Sequence, residues 1–130
     1  MHLIEEVNLS NGLTLKIFDL SREIAADTVK VEVSFQSDIE LKESFFTSLA
    51  DYLKVKNIFG NQLTYEYKAQ RTFVRTGKSD AVRTELIDTF KTNSLHYLEA
   101  DNFARKLALA MLRDINQNPY KYQSKADNET

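Results

Sequence analysis

Apolar and polar residues alternate most clearly from Thr28 to Phe35, where Val29, Val31, Val33 and Phe35 interleave with Lys30, Glu32 and Ser34. A period of two sends the sets to opposite sides of a pleated strand, so one face is buried and one is wet, as in an antiparallel sheet. Ile39 and Leu41 keep the parity, and the strand is predicted to run on past Ser37. Leu63, Tyr65, Tyr67, Ala69 and Phe73 alternate with Thr64, Glu66, Lys68, Gln70 and Thr72, which predicts a second long strand rich in aromatics.

Upstream, Asn11-Gly12 marks a hairpin. A two-residue turn would set Val7 opposite Lys16 and mix apolar with polar positions on both faces. A three-residue loop, Ser10-Asn11-Gly12 with Gly12 left-handed, sets Leu9 opposite Leu13 and Val7 opposite Leu15. Glu5 opposite Ile17 is then the one mismatch. A slip of one residue flips every side chain, so the apolar match selects the three-residue loop. From Asp19 to Asp27 the apolar residues Leu20, Ile24 and Ala26 take the opposite parity. Either the strand continues through a bulge or a short helical turn intervenes.

Helical spacing predicts a first helix over about Lys42 to Lys54, with Phe45, Phe46, Leu49, Tyr52 and Leu53 on one arc. Ile58-Phe59-Gly60-Asn61 closes that region with a turn. A second helix, capped by Ser79 or Asp80, is predicted to about Thr92, burying Val82, Leu86, Ile87 and Phe90. A third, capped by Asp101 or Asn102, ends before Pro119. Its residues Ala104, Leu107, Ala108, Met111, Leu112 and Ile115 span a wide apolar arc, with Leu109 outside it near Arg105. Such a helix is expected to pack on more than one neighbour, within the domain or across a dimer.

The order β-β-β-α-β-α-α lacks a regular strand-helix-strand repeat. It predicts an α+β fold: a mostly antiparallel sheet of about four strands with three helices on one face. Residues 1–119 read as a single domain and 120–130 as a polar, disordered tail.

Composition narrows the chemistry. The 130 residues include no cysteine, which excludes disulfides, thiolate metal sites and thiol nucleophiles. No apolar run approaches the roughly 18 residues that span a bilayer, and the first residues do not resemble a secretory signal. The chain reads as cytoplasmic, with no membrane partner. The net charge of −2 gives no global pull toward nucleic acid.

His96 is the one histidine away from the terminus, and its spacing to Glu99 and Asp101 fits no metal motif. It reads more simply as a polar residue between helices. No serine sits in a Gly-x-Ser-x-Gly elbow. Thr76-Gly77-Lys78-Ser79 ends like a phosphate loop, but Thr72 stands where the upstream glycine is required. Carboxylates are plentiful, yet Glu32 and Glu66 sit on the wet parity, and Asp38, Glu40 and Glu43 suit a helix N-terminus. No cofactor is implied.

Charge is uneven. Lys68, Arg71, Arg75, Lys78 and Arg83 meet one acid, Asp80, in their stretch, and Tyr65, Tyr67 and Phe73 interleave with them. Basic residues beside aromatics on an open sheet face can stack and hold single-stranded RNA. The aromatics share the core parity of Leu63 and Ala69, however, so the simpler reading is a strand edge kept soluble by charge.

The segment Asn11-Gly12-Leu13-Thr14-Leu15-Lys16-Ile17-Phe18-Asp19, with Ser21-Arg22-Glu23-Ile24-Ala25, resembles short uncharacterised bacterial proteins. The resemblance implies no activity and no functional residue.

The leading expectation is therefore a non-catalytic binding or protein-interaction domain that self-associates as a homodimer. Its surfaces would be Leu109, Leu112 and Arg105 on the last helix and Tyr65 and Tyr67 on the aromatic strand. One alternative is a nucleic-acid-binding domain using Lys68, Arg71, Arg75, Lys78 and Arg83. Another is a small enzyme working with carboxylates and tyrosine, which would need a deep pocket holding an acid of raised pKa.

Overall fold

The computed structural model describes residues 1–122. The predicted α+β class holds. Five strands, β1 (His2–Asn8), β2 (Thr14–Asp19), β3 (Arg22–Ala25), β4 (Thr28–Glu40) and β5 (Gln62–Arg75), form one sheet. Three helices accompany it: α1 (Leu49–Phe59), α2 (Ser79–Glu99) and α3 (Phe103–Gln117). The described residues divide into two compact units, one of residues 1–37 and 65–100, the other of 38–64 and 101–122.

The β1–β2 hairpin adopts the register selected by apolar matching. Val7 faces Leu15 and Glu5 faces Ile17. The Leu9 amide donates to the Leu13 carbonyl at 2.8 Å, and Gly12 has φ +90°, where an L side chain would be strained. The Glu5 mismatch is resolved by α2, whose Lys91 Nζ lies 2.7 Å from Glu5 Oε2.

The segment from Asp19 to Asp27 is strand, not helix. Lys16 to Asp19 pair with Gln36 to Val33, and Arg22 and Glu23 continue in the same register against Lys30 and Val29. A strand has two edges and β4 has three partners, so β2 and β3 share one edge and β5 takes the other. The interruption at Leu20-Ser21 is bridged: Leu20 N–H donates to the Glu32 carbonyl at 2.8 Å, and Glu32 N–H donates to Ser21 Oγ at 3.1 Å. This break gives the sheet five strands rather than about four. The parity of Leu20 and Ile24 needs no re-aiming, because both sit on the wetter face, Ile24 being exposed.

In the first unit Leu15, Ile17, Val31, Val33 and Phe35 are fully buried. Their cover is α2. Phe90 stacks on Phe35 with ring centroids 3.7 Å apart, and Tyr67 of β5 flanks both, 5.8 Å from Phe90 and 6.3 Å from Phe35. The helix is longer than its pattern suggested, running on to Glu99, because Leu98 beyond the expected end is also buried. His96 is thus a helical, exposed residue and not a connection. Neither Ser79 nor Asp80 caps α2. Ser79 Oγ donates back to the Thr76 carbonyl at 2.9 Å, and Asp80 pairs with Arg83. The other end of α2 is closed from a distance: Asn11 Nδ2 donates to the carbonyls of Leu98 and Ala100 at 2.8 and 3.0 Å.

In the second unit the predicted Lys42–Lys54 helix is replaced by a 3-10 turn at Glu43–Phe45 and by α1 starting at Leu49. Ser48 sets that start by accepting from Asp51 N–H at 3.2 Å, and Gly60 at φ +80° ends the helix. Val55, not the Phe45–Leu53 arc, is the buried residue of α1; Leu49 and Leu53 are exposed. Helix α3 starts and ends as predicted, with Asn102 at its N-cap but no side-chain cap. Of the expected tail, residues 120–122 form a further helical turn together with Pro119, and Tyr122 is buried. Its hydroxyl donates to Asp114 Oδ2, and its ring meets Phe59 edge-on at 5.7 Å. Residues 123–130 lie outside the described residues.

Asn11 closes α2 with two hydrogen bonds, so Asn11→Ala should lower stability by about 1–2 kcal/mol in urea unfolding. An unchanged midpoint would mean that water satisfies those carbonyls equally well.

Candidate interaction surface

Strand β5 runs antiparallel to β4: Thr64 Oγ1 donates to Asp38 Oδ1 at 2.9 Å, and further along Gln36 Nε2 donates to Glu66 Oε2 at 2.9 Å. Among the described residues β4 is its only strand partner. An unpartnered strand edge shows a row of amides and carbonyls, which makes it a template for another chain.

The sheet-facing parity read from sequence holds at Leu63, which is buried, and weakens along the strand. Tyr65 is half-buried and Tyr67 is 51% exposed despite the stack beneath it. Phe73 is 81% exposed and has φ +58°, a left-handed backbone that L residues avoid at a cost of roughly 1–2 kcal/mol. The core parity assigned to Phe73 therefore does not hold there, and Arg71 and Arg75, which share that parity, are exposed as well, beyond the edge of the core. Between β5 and α2 lies a groove of about 370 Å³, lined by Tyr67, Gln70, Leu86, Phe90 and Asn93 among others.

The basic residues are largely engaged. Arg71 makes two bonds to Glu85, at 2.9 and 3.4 Å. Arg83 Nε lies 3.1 Å from Asp19 and its Nη1 2.7 Å from Asp80. Lys68 lies 3.9 Å from Glu66. Arg75 and Lys78 have no ion pair among the described residues and line a depression with Asp27 and Thr28. Three of the five cations thus meet carboxylates, and two of those partners, Asp19 and Glu85, are distant in sequence and brought in by the fold.

On the last helix, Leu109 and Leu112 are half-buried and Arg105 is exposed. The large exposed apolar residues include Tyr67 and Phe73 but neither leucine, so the surface foreseen on α3 offers little free apolar area. Phe73, the most exposed apolar group of β5, was missed as a surface residue because periodicity cannot reveal a left-handed residue inside a strand.

The titrating groups do not converge. No cluster of three or more His, Asp or Glu able to hold a metal occurs among the described residues. Burial pushes the Tyr65 phenol up, and Tyr97 and Tyr67 add to this, which keeps it protonated and unsuited to act as a base. Burial alone would raise the Asp19 carboxyl too. The Ser21 hydroxyl and amide, the latter at 2.9 Å, and the Arg83 charge outweigh that and hold it below its ordinary value.

Comparison with protein-family models, with curated proteins and with solved structures finds no match to this chain.

A carboxyl whose folded-state pKa is depressed stabilises above its unfolded value, near 4, and that stability is lost as pH falls through the folded value. Asp19→Asn should therefore be less stable than the parent at pH 7 and should lose less on acidification from pH 5 to pH 2, read by urea midpoints. Parallel acid limbs for the two proteins would show that the Asp19–Arg83 pair contributes nothing.

Proposed function

We propose that this protein is a non-catalytic interaction domain that binds another protein chain through β5 and the groove beside it. The observation that carries this reading is Phe73. Its ring is exposed, so it gains little from burial, and its backbone conformation costs stability. A residue unfavourable on both counts points to a role outside folding. Tyr67 and the β5–α2 groove continue the surface with further apolar area and with amide side chains able to hydrogen-bond. Aromatic anchors of this kind dominate binding energy at protein interfaces. The paired state of Lys68, Arg71 and Arg83 lends more support to a protein partner than to a phosphate backbone, which would need those cations free.

Phe73→Gly should leave the unfolding free energy in urea equal to the parent's or raise it by up to about 1 kcal/mol, since glycine takes φ +58° without strain. A photo-crosslinking residue at position 73 should capture one dominant protein in cells, and the same group at exposed Glu23 should not. A large loss of stability in Phe73→Gly, or equal capture from both positions, would remove the reading.

A further inference from the structure

We infer that the partner of β5 is a second copy of this chain, added antiparallel to the same strand about a two-fold axis through Tyr67. This rests on the interaction-domain reading and names the partner within it.

Register selects the partner. In a symmetric antiparallel pair that continues the sheet, residues directly opposite point to the same face, so the paired residue numbers are both odd or both even. Glu66 is the one carboxylate on β5, and the strand's cations are Lys68, Arg71 and Arg75. Only Lys68 shares the parity of Glu66. A single register therefore sets the acid opposite a base, with Glu66 facing the partner's Lys68 and Lys68 facing the partner's Glu66. The two adjacent registers, centred on Glu66 or on Lys68, face that residue with its own copy, and like charges directly opposite are destabilising.

The same register centres the axis on Tyr67 and sets that ring beside its symmetry mate. Cross-strand aromatic pairs of this kind stabilise sheets, and the 51% exposure of Tyr67 is the area they would cover. Glu66 and Lys68 are about half exposed and lie 3.9 Å apart within one chain, a loose pair that can be exchanged for two across the interface. The left-handed backbone at Phe73 ends the regular stretch of β5, so pairing stops short of it and Phe73 stays available. The charges that would repel a random strand from this edge are thus complementary to one sequence, the strand's own.

Sedimentation equilibrium of the full chain, from micromolar to millimolar, tests this with K68E and the swapped double variant E66K/K68E. The parent should be a monomer–dimer equilibrium. K68E faces Glu66 with glutamate twice and should weaken the dimer about tenfold. The double variant should restore it to within a few-fold. K68E mixed with E66K should give the heterodimer in preference to either homodimer. Lys68 is exposed and makes no other hydrogen bond or ion pair among the described residues, so K68E is readable even if Glu66, which also accepts from Gln36 and Ser34, proves structural. A parent that stays monomeric throughout, or a dimer indifferent to K68E, overturns the proposal. If the parent stays monomeric while position 73 captures a different protein, the interaction-domain reading stands and the self-pairing alone falls.

Discussion

The stack of Phe35 on Phe90 is the interaction on which the first unit depends. Phe35 is fully buried on β4, Phe90 comes from α2, and Tyr67 brings β5 against both. Truncating a buried phenylalanine costs roughly 3–5 kcal/mol. The ion pairs of α2 with the sheet, Arg83–Asp19, Lys91–Glu5 and Arg71–Glu85, all keep some access to solvent and are each worth about 1 kcal/mol or less. The rings therefore hold the helix to the sheet, while the ion pairs tie α2 to β2, β1 and β5 in turn and set its direction. Asn11 completes the set by closing the far end of the helix.

That arrangement explains why β5 looks as it does. Its inner part is committed, with Leu63 buried and Tyr67 leaning on the stack. Its outer part has exchanged burial for exposure, with Arg71 and Lys68 held by carboxylates from α2 and from β5 itself and with Phe73 turned to solvent on a left-handed backbone. A strand held firmly on one edge and carrying aromatics beside the other combines a rigid scaffold with a recognition surface.

Much of this was legible in the residues. The hairpin register followed from matching Val7 with Leu15, since one slip would have exposed the whole apolar set. The α+β class and the strands around Val31 and Leu63 followed from period-two alternation. Helix limits were less legible where caps decided them. Ser48 and Asp51 start α1 four residues or more beyond the point that the aromatic arc suggested, and α2 begins without a side-chain cap at all. The surface was the least legible part. Arg71 and Arg83 read as free cations because their partners, Glu85 and Asp19, sit 14 and 64 residues away in the chain. A left-handed phenylalanine leaves no trace in a pattern of apolar positions.

The central claim is that β5 presents an edge which a second copy completes, and amide hydrogen exchange measured at low and at high protein concentration tests it most directly. Amides of β4 around Val31 to Phe35 should be protected at both concentrations. Alternate amides of β5 near Tyr67 should exchange fast in dilute protein and become protected as concentration rises, with no change at β1, the other edge of the sheet. Protection of β5 that is independent of concentration, or a rise confined to β1, would contradict the account.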